Sequence, residues 1–177
     1  MALLSVAVVA VTACATGAPD VIRDPPPGDL PLTEARRDVS AHVGKRVRWG
    51  GKIAAVDNRA KETWLDIVAQ ELDRYGRPRT TDRSLGRFRA RMDGFLDPAV
   101  YAKSREVTVV GSVEGTVKRP IGEYEYNYVV VKAEAVHLWE PVVEQRPYYH
   151  DPFYDPFWPR PFYHPWYAPY PFYPYYR

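Results

Sequence analysis

At 177 residues and a net charge of +2, the chain has room for one modest domain and lacks the strong positive balance that marks a nucleic-acid partner. Its single cysteine excludes a disulfide framework within the chain. Composition is uneven: 15 aromatic residues follow Pro147, whereas the part before it reads as ordinary globular protein.

Residues 2–12 are nearly all apolar, among them Leu3, Leu4, Val6, Val8, Val9 and Val11. As a helix this run reaches only about 16 Å, at ~1.5 Å per residue, and a bilayer core needs about 20 residues. It matches the apolar region of a secretory signal instead. The run ends in Val11-Thr12-Ala13-Cys14, which resembles the bacterial lipobox: a branched apolar residue, two small residues, then cysteine. Residues 1–13 are therefore expected to be removed, leaving Cys14 as an N-terminus that carries covalent diacylglycerol and an acyl chain. Several acyl chains exceed what stable anchoring requires. Ala15 follows, where aspartate would resemble an inner-membrane retention signal, so the expected site is the outer membrane's periplasmic face. No Lys or Arg precedes the apolar run, although signal peptides carry a positive leader, which a start upstream of Met1 would supply. The plainer alternative is a buried N-terminal strand with a core cysteine; the small-small-Cys ending argues against it.

Residues 14–31, with Pro25-Pro26-Pro27-Gly28, read as an extended lipidated linker that holds a domain off the membrane. Residues 32–43 suggest a short helix, with Thr33 as N-cap and Gly44 as stop. In residues 45–56, Val47, Trp49 and Ile53 alternate with Arg46, Arg48 and Lys52, the period of a strand, interrupted by a bulge signal at Gly50-Gly51. Asp57-Asn58-Arg59 is turn chemistry, and residues 62–72 form a second strand, making a hairpin. Residues 85–92 are a third strand, with Phe88, Ala90 and Met92 inward and Arg87, Arg89 and Arg91 outward. Residues 97–103 read as one or two helical turns capped by Asp97, with Pro98 at the first position. A fourth strand at 106–113, a loop at 115–122 and a fifth strand at 124–138 complete the pattern.

The expected fold is thus mainly β, a small five-stranded antiparallel barrel of the OB-like kind spanning residues 32–140, with one or two short helices. Ten prolines interleave with aromatic residues in 141–177, a density that sustains neither helix nor sheet and reads as a disordered tail.

Segments along the domain resemble the Slp family of outer-membrane lipoproteins, the starvation-inducible type. They are Val47-Arg48-Trp49-Gly50-Gly51, Gly86-Arg87-Phe88, Gly94-Phe95-Leu96-Asp97-Pro98, Tyr101, Val107-Thr108-Val109-Val110-Gly111, Ile121-Gly122-Glu123 with Tyr126, and Leu138-Trp139. The resemblance covers about residues 32–140 and leaves the aromatic tail outside. It implies an envelope lipoprotein and brings no catalytic residues.

Two surface constellations invite a ligand reading. Arg87, Arg89 and Arg91 belong to a run of arginines from Arg74 onward, and guanidinium groups take phosphate in bidentate fashion. Export removes nucleic acid as a partner and leaves anionic lipid headgroups or lipopolysaccharide phosphates. The plainer reading is a solvated face with cross-strand pairs to Asp66 or Glu106. Tyr124 and Tyr126, alternating with Glu123 and Glu125, form a candidate ligand platform for a small molecule or glycan; the plainer and favoured reading is strand amphipathicity, with the tyrosines packed at a barrel rim. Trp49, Trp64 and Trp139 read as core or half-core. His42, His137, His150 and His164 show no metal-ligand spacing, and no catalytic motif is present, so neither a metal nor an enzyme is expected. The tail is a candidate arm for lipopolysaccharide, peptidoglycan or envelope proteins, or a low-complexity extension without a partner.

Overall fold

A computed structural model describes residues 17–142. The segment expected to be a signal, the expected lipidation site Cys14 and the tail beyond residue 142 lie outside the described residues. The chain divides into two units after Pro141, and the described helices and strands all belong to the first.

Five strands, β1 (Arg46–Asn58), β2 (Glu62–Gln70), β3 (Gly86–Asp93), β4 (Glu106–Ile121) and β5 (Tyr124–Leu138), close into a barrel in the order β1-β2-β3-β5-β4. The expected small five-stranded barrel is formed: neighbours are antiparallel except β3 and β5, which run parallel over Phe88–Arg91 and Val129–Lys132. The seam must be parallel because β3 and β5 both run away from the same end of the ring.

Period-two alternation drives the inside of the barrel. Leu65, Ile67, Phe88, Ala90, Val107, Val109, Val129 and Val131 point inward and are buried. Trp49 meets Phe88 edge to face at 5.5 Å, and its indole N–H donates to the Leu30 carbonyl at 2.7 Å. That bond satisfies a buried polar group that would otherwise cost about 1–3 kcal/mol.

So small a ring requires strands that bend, and the register is irregular at Ile53/Ala55 in β1, at Val113/Gly115 in β4, and opposite Val110/Gly111, where the extra residue is Glu134 of β5. Two glycines stand where backbones approach too closely for any side chain. A Cβ on Gly51 would lie 1.9 Å from the Val68 carbonyl oxygen, and one on Gly111 would lie 2.1 Å from that of Lys132.

Several expectations change at the element ends. β4 does not stop before residue 115; it continues to Ile121, pairing through Ile121↔Tyr124 and closing on a two-residue turn at Gly122-Glu123. Gly115, Pro120 and Gly122 read as loop punctuation, but Val117 and Ile121 find cross-strand tyrosines and hold the ladder. The helix expected over 32–43 is two separate turns, α2 (Leu32–Ala35) capped by Pro31 rather than Thr33, and a 3-10 turn at Ser40–His42. Asp38 divides them: its carboxylate accepts from the Ser40 hydroxyl at 2.5 Å and the Ala41 N–H at 3.2 Å, competing with helix continuation. These hydrogen bonds, the hydroxyl's first, hold its carboxyl below the usual range. Residues 97–103 form turns and no helix; the Asp97 side chain accepts from the Ala99 N–H at 2.8 Å.

The largest correction concerns the linker. From Pro19 onward it is packed against the barrel, with α1 (Asp20–Arg23) lying on β4 and β5. Ile22 is 1% exposed, and Pro26 and Leu30 are buried. Burying one such aliphatic side chain contributes roughly 1.5–3 kcal/mol. Its prolines make the stretch read as a spacer, but they also lower the entropy lost when it is held in place.

Gly111→Ala is expected to lower unfolding free energy on the order of 1–3 kcal/mol by overpacking. Urea denaturation reads this directly, with Gly17→Ala, which meets nothing within 4 Å, as an unaffected control.

Candidate functional site

The arginine face of β3 is outward, as alternation requires, but it is not free. Arg89 is 1% exposed. Its guanidinium donates to Asp66 on β2 and lies 4.7 Å above the Trp64 ring, with Asp57 at 3.7 Å. Arg91 donates to Glu62 at 3.2 Å and to Glu114 at 2.5 Å. The two carboxylates, Glu114 first, raise the Arg91 pKa above its ordinary value. Glu62 in turn is held below the carboxylate range by the Trp64 N–H and then by Arg91. Of the three, only Arg87 has no acidic partner among the described residues. At Arg89 and Arg91 neighbouring strands supply carboxylates that an external phosphate would have to displace, so of the expected anion-binding set only Arg87 keeps an unmatched charge among the described residues. The cross-strand reading holds at Asp66, whereas Glu106 pairs with Arg77 at 2.8 Å and not with β3.

The tyrosines are likewise divided. Tyr124 is 69% exposed at the hairpin end. Tyr126 stacks edge-on with Tyr128 at 4.9 Å, lies beneath Arg36 at 5.4 Å, and accepts the Arg87 N–H through its hydroxyl at 3.0 Å. Tyr128 is buried. Tyr126 is thus a strut between β5, Arg36 beside α2 and the start of β3, while Tyr124 stands exposed at the turn.

Two concavities stand out among the described residues. One of about 320 Å³ lies at the barrel end closed by Leu30 and Leu32, with Trp49, Gln70, Arg79 and Leu85 in its wall. The other, of about 560 Å³, lies on the outer surface between the N-terminal stretch and the end of β5, lined by Ala18, Arg23, Tyr75, Arg77, His137 and Trp139 among others.

Between the two concavities is a polar cluster that strand alternation does not reveal, with Arg48 in the wall of the first and Arg77 and Trp139 in that of the second. Arg48 points outward from β1 yet is only 8% exposed, because α1 and the loop after β2 cover it. Its guanidinium donates to the carbonyls of Ile22 (3.1 Å) and Arg23, where a cation completes the carbonyl end of a helix. Next to it, Thr108 donates to the Gly76 carbonyl at 2.6 Å and accepts the Trp139 indole N–H at 2.9 Å. Arg77 spans from Glu106 to the Glu140 carbonyl at 2.8 Å. The signal available in sequence was a pair of polar outward residues, Arg48 and Thr108, near Gly50; what covers them is 25–32 residues away along the chain.

His137 packs edge-on against Trp139 at 4.5 Å, and burial pushes its pKa below the ordinary histidine value. Among the described residues no group of three or more His, Cys, Asp or Glu side chains is placed to hold a metal ion, and no helix is long and apolar enough to cross a membrane.

The described residues thus form a small closed barrel that follows a lipobox-like cysteine in sequence, with Arg77, Arg89 and Arg91 each paired to carboxylates on its surface. The chain belongs to the outer membrane lipoprotein Slp family, whose model matches residues 11–175. The match includes Cys14 and nearly all of the aromatic tail, so the expectation that the tail falls outside the family is corrected. Over 132 residues the chain is 36% identical to the uncharacterized lipoprotein YeaY of Escherichia coli strain K12, covering 73% of this chain and 66% of that protein. It is 35% identical over 98 residues to the outer membrane protein Slp of the same strain, covering 55% and 52%. An uncharacterized protein of Haemophilus influenzae is 33% identical over 104 residues, covering 58% and 56%. The matched stretches thus span from about half to about two thirds of these relatives' own lengths.

Arg89→Gln is expected to cost about 3 kcal/mol, the lower end of the range for breaking a buried ion pair, since Asp66 is left without its cation. A urea midpoint within error of wild type would show that the pair contributes nothing. His137 yields a pH effect of defined sign. Its folded-state pKa is depressed, so its contribution is complete above the unfolded value near 6.5 and is lost as pH falls through the folded value. Stability measured from pH 7.5 down to 5 should decline in wild type and decline less in His137→Gln.

Proposed function

We propose that this chain is anchored through acylated Cys14 at the periplasmic face of the outer membrane, where it serves a structural or interaction role in the envelope. The observation that carries the reading is the Val11-Thr12-Ala13-Cys14 sequence within the family match at residues 11–175, only a few residues before a domain that starts packing at Pro19. Membership of an outer membrane lipoprotein family supports the compartment. Diacylglycerol and an acyl chain on Cys14 are the covalent groups this reading requires, and outer-membrane lipid is the first partner. Lipopolysaccharide, peptidoglycan or envelope proteins are the further partners that suit the Tyr- and Trp-rich sequence of residues 143–177, since such rings stack on sugars and favour headgroup interfaces. The pairing of Arg89 and Arg91 with carboxylates shifts the weight of binding away from the β3 face.

Radiolabelled palmitate should enter the wild-type protein and not Cys14→Ser, which should leave the outer-membrane fraction. Equal labelling of both would overturn the anchor.

A further inference from the structure

The N-terminal stretch reads as a spacer by composition, yet it leaves almost no slack. Its first described residue, Gly17, is three residues beyond Cys14, and Pro19, which opens α1, is five beyond. At most ~3.6 Å per residue, those distances are roughly 11 Å and 18 Å even when fully extended. The headgroup layer on one side of a bilayer takes up roughly 5–8 Å of that reach. After Pro19 there is no further slack, because Ile22 is buried against the barrel and Arg48 grips the carbonyls of Ile22 and Arg23.

The position of Gly17 then decides which surface meets the lipid. Gly17 and Ala18 line the 560 Å³ concavity whose other walls include Tyr75, His137 and Trp139. Tyr75 is half exposed at its loop tip, and Arg74 lies over its ring at 4.6 Å, an aromatic body with a cationic rim. Such groups are favoured at the headgroup level. The charges around them do not argue for electrostatic capture: Arg23 is paired with Asp20, and Arg77 with Glu106. Asp73 accepts backbone N–H groups of Tyr75 and Arg77 and shapes the loop. The domain also ends here, since Pro141 is two residues beyond Trp139. At the other end of β5 is the hairpin turn at Gly122, up to about 45 Å away along the 15-residue strand at ~3.3 Å per residue.

We infer that the domain is held in one orientation on the bilayer, with the surface around Ala18, Tyr75 and Trp139 against the headgroups and the Gly122 hairpin directed away. This rests on the reading that Cys14 is acylated. The occupant of the surface is the membrane to which the chain is tethered, because a tether this short places lipid there before any other partner arrives.

The test uses the full-length acylated protein reconstituted into phosphatidylethanolamine–phosphatidylglycerol vesicles. Acylation consumes Cys14, so a cysteine introduced by Arg74→Cys or by Gly122→Cys is the sole free thiol and takes a fluorophore. Mass spectrometry of the N-terminal peptide establishes acylation first. With acylated protein, headgroup-attached spin labels should quench the label at position 74 at least several-fold more than at 122. Inserting 20 Gly/Ser residues after Ala15 should abolish most of the difference. Equal quenching at the two positions in acylated protein, or stronger quenching at 122, overturns the orientation while leaving the anchor intact. Absence of acyl groups overturns the anchor, and the orientation with it.

Discussion

Closing a sheet of only five strands is the constraint on which the rest of this structure depends. An open sheet of this size would leave β1 and β4 as unpaired edges, templates for association with other chains. Closure removes them but demands close backbone approach. Gly51 against Val68 and Gly111 against Lys132 are the places where that approach leaves no room for a side chain. The register shifts in β1, β4 and β5 supply the accompanying bend. Inside, mostly aliphatic side chains fill the bore, and the Trp49–Phe88 pair provides the bulk that a narrow ring can admit only once.

A ring this small has an inside too limited for a large core, and the domain adds burial on its outer face. There are two outer patches. On one, α1 and the loop after β2 cover Arg48, Thr108 and Val110. On the other, Trp64, Asp66 and neighbouring strands enclose Arg89. Both patches bury a guanidinium, and each solves the desolvation problem differently. Arg89 is matched by a carboxylate, which makes the pair strong only while both partners remain. Arg48 is matched by the carbonyl groups ending α1, so it fastens two segments distant in sequence without a second ionised group. Much of the arginine content is thereby structural.

The legible part of the fold was the part with local periodicity. Alternation located all five strands, the bounds of β5, and the outward direction of Arg87, Arg89 and Arg91. It failed where punctuation residues are overruled by cross-strand partners, as at Gly115 and Pro120, since Val117 meets Tyr128 and Ile121 meets Tyr124. It failed at residues 32–43 because the Asp38 carboxylate offers the backbone an alternative to helix. The parallel β3–β5 seam is a property of chain topology and has no residue signature. The site was less legible for the same reason. Outward alternation says that a side chain leaves the barrel, but whether it then meets water or another segment depends on contacts such as Ile22 over β4. The resemblance to the Slp family, carried by scattered short segments, was confirmed by the family match; only its extent was underestimated.

The Pro-rich stretch shows how composition and role can part. A spacer and a strap share the property of not being helix or sheet, so prolines are compatible with both. They differ in whether apolar residues recur where the barrel can receive them. Here Ile22, Pro26, Leu30 and Leu32 are buried at intervals of two to four residues, while the residues between them are exposed. A Gly/Ser stretch of equal length would lose more conformational freedom on docking and bury less. The same prolines that forbid regular structure therefore make a fixed N-terminal path accessible, which is what the proposed orientation on the membrane requires.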